Sequence, residues 1–194
     1  MRLTSTRPFA VAALALALAA GGSSLAVTGV ASAAEPTVMV GGAAMYPSKN
    51  IVENAVNSMD HTTLVAAVKA AGLVDTLEGP GPFTVFAPTN AAFAKLPTGT
   101  VDSLLLPENK AKLTAVLTYH VVAGRLTAAD LSRMVAAGHG RASLTTVNGE
   151  ALTVTKVGRH LDVTDTKGRT AHVTIANVMQ SNGVIHVVDT VLLP

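Results

Sequence analysis

Gly81-Pro82-Phe83-Thr84-Val85-Phe86-Ala87-Pro88-Thr89-Asn90-Ala91-Ala92-Phe93 is the stretch on which the reading of the fold turns. Phe83, Val85 and Ala87 alternate with Thr84 and Phe86, the two-residue period of a strand with at least one buried face. Pro88 ends that strand by withholding a ladder donor. Asn90 stands where a helix N-cap is needed, its side-chain oxygen within reach of a backbone N–H two or three residues on. Ala91 to Leu96 then continue as a short helix until Pro97. A strand and a helix start are thus written side by side, with no group among them suited to chemistry.

Upstream, Gly79-Pro80-Gly81-Pro82 is a rigid turn that delivers the chain to this strand. Before it, Ile51, Val52, Ala55, Val56 and Met59 fall on one helical face, with Ser48 as N-cap. Leu64, Val65, Val68 and Ala71 form a second stripe, ended by Gly72. Residues 34–47 contain Glu35-Pro36, Gly41-Gly42 and Tyr46-Pro47 without sustained periodicity, and read as a linker or extended arm before a domain that occupies 48–194.

Downstream, Val101 to Leu106 and Glu108 to Leu117 are helical pieces divided by Pro107. Thr118 to Val122, rich in β-branched residues and containing Tyr119-His120, reads as a strand. A helix restarts at Thr127, where Asp130 has capping-box spacing. Met134 to Ala142, with Gly138-His139-Gly140-Arg141, reads as a mobile surface loop. The last third is a run of strands: 143–147, 152–157, 161–164, 171–178 and 183–193. Asn148-Gly149, Gly158-Arg159, Lys167-Gly168 and Ser181-Asn182-Gly183 separate them. Helices first and strands afterwards imply an α+β domain, and connections this short make its sheet largely antiparallel.

Residues 1–33 read as a secretory signal peptide. Arg2 and Arg7 precede an apolar run from Phe9 to Ala20, and Ala31-Ser32-Ala33 supplies a cleavage site. The rival reading, a membrane anchor, is weakened by the Gly21-Gly22-Ser23-Ser24 break and the high Ala content. The leader carries two of the 14 Lys and Arg and none of the 12 Asp and Glu, so the mature chain is near neutral. It has no basic footprint for nucleic acid and, once the signal is cleaved, no membrane span. With no Cys, an exported chain must hold together without disulfides, and the residues after the leader suffice for one core.

No catalytic constellation emerges. There is no Gly-x-Ser-x-Gly elbow, no paired carboxylate at a recognisable spacing and no phosphate loop. His61, His120, His139, His160, His172 and His186 are dispersed and no Cys assists them, so neither metal nor cofactor is assigned. His120 and His186 sit in apolar surroundings and read as buried, hydrogen-bonded groups in preference to contact residues. Alternation puts His186 on the face of Val184 and Val188, opposite Ile185 and Val187.

Three blocks in order carry a family resemblance: Phe83 to Phe93, Leu117 to Val122 with its Tyr-His pair, and Asn182 to Leu193. Together they resemble the fasciclin (FAS1) domain, and Tyr46 to Ile51 with Asp60 to Leu64 look like its small secreted bacterial single-domain branch. The resemblance implies a wedge of two largely antiparallel sheets flanked by helices, the helices mostly in the N-terminal half. It makes Phe83, Phe86, Pro88, Asn90, Phe93, Gly183, His186 and Asp189 motif residues of the scaffold. It also implies adhesion or binding at cell surfaces and no enzymatic activity. Animal members use the Tyr-His region in integrin and matrix contacts, which nominates Tyr119 and His120. The lack of an Arg-Gly-Asp triplet and of Cys departs from that pattern.

The expectation is a secreted or periplasmic, non-catalytic module. Its partner would be a cell-surface, matrix or envelope component, protein or polysaccharide, held through Tyr119, His120, His139 or Arg141. The alternative is a carrier or sensor for a small hydrophobic ligand such as haem, held in a pocket between sheet and helices.

Overall fold

The computed structural model describes residues 37–194; the expected signal peptide and its cleavage site lie outside the described residues. The elements follow in the order β1 (Val38–Val40), β2 (Ala43–Met45), α1 (Ile51–Ala55), α2 (Thr62–Ala71), α3 (Val74–Glu78), β3 (Phe83–Pro88), α4 (Asn90–Ala94), α5 (Thr100–Leu105) and α6 (Lys110–Tyr119). After them come β4 (Val121–Ala123), α7 (Ala128–Ala137), β5 (Arg141–Thr145), β6 (Ala151–Val157), β7 (His160–Thr164), β8 (Thr170–Gln180) and β9 (Gly183–Val188). Among the described residues the fold is α+β, with six of the seven α-helices before β4.

β3 is paired on both edges, to β4 antiparallel and to β9 parallel, inside a seven-stranded sheet of order β4-β3-β9-β8-β7-β6-β5. The β3–β9 pairing is parallel because some ninety residues separate the two strands, room enough for a crossover. The other pairings among the described residues are antiparallel, as the short connections from β5 to β9 require; β3 and β4 are antiparallel although α4, α5 and α6 lie between them. β8, eleven residues long, shifts register against β9 on both sides of Ile175, and Asn177 there has φ of 60°. Such irregularities bend a strand. The bent sheet folds back on itself, and its two edges meet where Val122 bridges Thr146 and the Val147 N–H donates to the Val121 carbonyl at 2.7 Å.

Two apolar cores result, one on each face of β3 and β9. Val85, Ala87, Ile185 and Val187 face the cluster built with α1, α2 and α6. Phe86 and Val188 face a second cluster, formed with α7 and the strands β5 to β8. His186 pairs in register with Phe86 and stacks on its ring, 5.7 Å between centroids. A strand buried on both faces explains why Phe83 to Ala87 is apolar almost throughout.

Five local expectations are corrected. Residues 38–45 form a hairpin, not a linker: Gly41 and Gly42 take positive φ at its turn, and Val40 and Met45 are buried. The cap of α1 is Asn50, boxed reciprocally with Glu53, and not Ser48. The cap of α4 is Thr89, whose hydroxyl accepts from the Ala92 N–H; Asn90 is already helical. Its side chain instead accepts from the Thr63 N–H and donates to the Met59 carbonyl, tying α4 to the start of α2. Tyr119-His120 lies at the end of α6, since Leu113, Val116 and Leu117 bury at helical spacing and packing overrides β propensity. The segment 134–142 is no long loop: α7 runs to Ala137, and a tight turn at 138–140 leads directly into β5.

Candidate functional site

α6 ends on Tyr119, and His120 turns the chain into β4, so both side chains are carried into the interior. Tyr119 is wholly buried; its hydroxyl donates to the Ala151 carbonyl at 3.1 Å and accepts the Thr166 N–H at 3.2 Å. Burial raises its pKa, against the hydrogen bond from Thr166.

His120 Nδ1 lies 2.8 Å from the Val116 carbonyl, and the Leu192 N–H lies 3.1 Å from Nε2. A carbonyl only accepts and an N–H only donates, so the proton sits on Nδ1 and the ring is neutral. Burial agrees, lowering the pKa to about 4 against the Val116 carbonyl and the Asp165 charge. His120 is therefore a latch between α6 and the C-terminal segment.

The other motif residues are engaged in the same way. His186 Nε2–H donates to the Leu126 carbonyl at 2.9 Å, burial lowers its pKa, and Nδ1 faces the Asn177 N–H. Asp189 accepts from the His172 N–H at 2.9 Å and from Lys95 Nζ at 3.2 Å. Burial would raise its pKa, but these hydrogen bonds and the Lys95 charge hold it below the ordinary value. His172 Nδ1 meets Asp162 at 2.7 Å, which raises the pKa of that exposed imidazole. Gly183 is admitted by contact: a Cβ there would stand 2.2 Å from the Phe83 carbonyl oxygen.

His139, on the turn between α7 and β5, and Arg141, the first residue of β5, are exposed. The structure separates the four nominated contact residues: Tyr119 and His120 are interior, His139 and Arg141 are on the surface.

Sequence reasoning passed over three polar groups. Asn182 accepts from the Ile51 N–H and donates to the Leu77 and Gly79 carbonyls, joining the start of α1 to the end of α3 and the entry to β9. Asp165 has a fully buried carboxylate that accepts from the N–H groups of Lys167, Arg169 and Leu193 and from Arg169 Nε. His61 is buried beside Ser58, with Nδ1 2.8 Å from its hydroxyl. The Asn-Gly and Lys-Gly turn signals gave the only hint of the first two; nothing local marked His61. Among the described residues no group of three or more His, Asp or Glu converges as a metal site.

These latches, the doubly buried β3 and the folded sheet are a scaffold that comparison with known proteins identifies. Residues 59–194 match the fasciclin domain. The chain belongs to the fasciclin family. Protein sll1483 of Synechocystis is 49% identical over 162 residues, which cover 82% of this chain and 82% of that one. The immunogenic protein MPB70 of Mycobacterium bovis is 37% identical over 202 residues, 98% of this chain and 94% of its own. Among solved structures, a FAS1 domain pair from the insect cell adhesion molecule fasciclin I superposes with a TM-score of 0.66 at 19% identity. The match covers 75% of this chain and about half (51%) of that one. Fasciclin membership accounts for the coincidence of the three sequence blocks with β3–α4, α6–β4 and β9.

Proposed function

We propose that this fasciclin-family protein is an exported, non-catalytic binding module. It takes a cell-surface, matrix or envelope component, protein or polysaccharide, on the face that carries His139 and Arg141. The supporting observation is the disposition of its reactive side chains. Tyr119, His120, Asp165, His186 and Asp189 all have their polar atoms engaged in bonds that hold one element to another. A catalytic acid, base or nucleophile needs a polar atom that can reach a substrate. The likeness to a domain of an insect cell adhesion molecule supports the same destination. No helix among the described residues is long and apolar enough to cross a membrane.

The test is a photo-crosslinking amino acid placed at His139 or Arg141 and, as control, at exposed Val157 on β6. In intact cells the first two positions should yield a discrete adduct and the third none. Equal labelling from all three, or none from any, would count against a defined binding face.

A further inference from the structure

Beneath the β1–β2 hairpin, between the helical face of β3 and β9 and the helices α1, α2, α3 and α6, lies a cavity of about 80 Å³. Its walls are aliphatic, from residues such as Val52, Leu64, Val68, Leu77, Val85 and Ile185. The interior polar groups on the wall are few. Thr118 donates to the Thr114 carbonyl, and both ring nitrogens of His120 are engaged. Lys69 and Thr76, also at the lining, are exposed and mark where the cavity nears the surface.

His61 is the exception. The residue is 3% exposed and lines the cavity; its Nε2 makes no well-formed hydrogen bond, although the Ala87 carbonyl stands near the ring and acts to raise the pKa that burial lowers. A buried nitrogen left unpaired is costly, so a group that pairs it gains affinity. The Ser58 hydroxyl and Ala87 also stand at this lining, so a water is the competitor that a ligand at Nε2 must displace.

We propose that the cavity is a binding site for a small apolar molecule bearing one hydroxyl, the chemical class of a short-chain aliphatic alcohol. The hydroxyl would bond His61 Nε2 while the hydrocarbon lies among the aliphatic walls. Size and chemistry both lead to this class. An apolar cavity of about 150 Å³ stays dry and takes benzene, with six non-hydrogen atoms, so one about half that size takes roughly three, the size of ethanol. A hydroxyl both donates and accepts, so it satisfies Nε2 whichever way the Ser58–His61 hydrogen bond is directed. Haem and other drug-sized ligands, whose pockets start near roughly 300 Å³, are far too large. The site goes beyond the surface binding proposed above and does not depend on it.

The experiment titrates methyl-labelled protein with ethanol and with chloroethane, which matches it in shape and lacks the hydroxyl. Two variants accompany the wild type: His61→Leu, which removes the nitrogen, and Ala55→Leu, which fills the cavity from the half-buried side of α1. Ethanol should shift the methyls of Val52, Leu64 and Val68 saturably and leave Val154 and Val163, in the other core, unmoved. The ratio of ethanol to chloroethane affinity should fall about tenfold in His61→Leu, and Ala55→Leu should lose both ligands. No saturable shift in the wild type would overturn the site. An unchanged ratio in folded His61→Leu, or unchanged binding in folded Ala55→Leu, would overturn the role of Nε2 or of the cavity.

Discussion

Acid should loosen this protein through His120. In the fold the ring is neutral, donating from Nδ1 to Val116 and accepting at Nε2 from Leu192, and its pKa is about 4 instead of 6.5. Above pH 6.5 the folded and unfolded chains are both neutral at this residue and no difference arises. As pH falls, the unfolded chain binds the proton first, so stability is lost progressively until the folded ring also titrates near 4. Each pKa unit is worth about 1.4 kcal/mol, which makes the loss roughly 3 kcal/mol across this window. His61 and His186 contribute in the same direction, burial lowering both. His172 opposes them: its pKa is raised by Asp162, so its contribution is present at low pH and lost as pH rises. The comparison with His120→Gln cancels all three. Urea denaturation of both proteins from pH 7 to 4 should show the wild type ahead by several kcal/mol at pH 7 and that lead shrinking by about 3 kcal/mol at pH 4. A lead that stays constant with pH, or a His120 NMR titration near 6.5, would refute the latch.

Four further outcomes follow from named contacts. Asn182→Asp keeps the acceptor for Ile51 but removes the donors to Leu77 and Gly79 and buries a charge, so denaturation should show a loss of about 3 kcal/mol. Thr89→Ala should cost about 1 kcal/mol by uncapping α4. Asn90→Ala in turn should speed hydrogen exchange at the Thr63 amide, which loses its acceptor. Asp165→Asn should cost about 2 kcal/mol at neutral pH. Burial raises the Asp165 pKa but its hydrogen bonds and Arg169 lower it further, so its contribution is present above the ordinary carboxylate range and lost as acid protonates it. Stability measured against pH should therefore fall less steeply at the acid end in the variant.

How much of this was legible in the chain depended on how local the cause was. The β3 strand, its Pro88 stop, the Thr127–Asp130 box and the left-handed Gly72 are decided by neighbours within four residues, and all stand where the pattern put them. Thr89 and Asn90 are both good caps, and only the packing against α2 selects the first. Gly41-Gly42 did carry a hairpin signal, but three-residue strands show too little period to support it. Thr118-Tyr119-His120-Val121-Val122 has a strand's composition and is half helix, because burial at Leu113, Val116 and Leu117 outweighs propensity. The polar latches were illegible for a different reason. The Asn182–Ile51 and Asp165–Leu193 bonds join residues far apart in sequence, and a side chain's partner across the fold leaves no mark on its neighbours.

The central claim is that the Tyr-His element is scaffold and that recognition belongs to the exposed turn between α7 and β5. Equilibrium binding of the purified protein to isolated envelope and matrix fractions tests it most directly, using wild type, His139→Ala/Arg141→Glu and His120→Gln at pH 7. Retention should be lost in the surface variant and kept in His120→Gln so long as that variant remains folded. Retention that survives in the surface variant and vanishes in folded His120→Gln would contradict it.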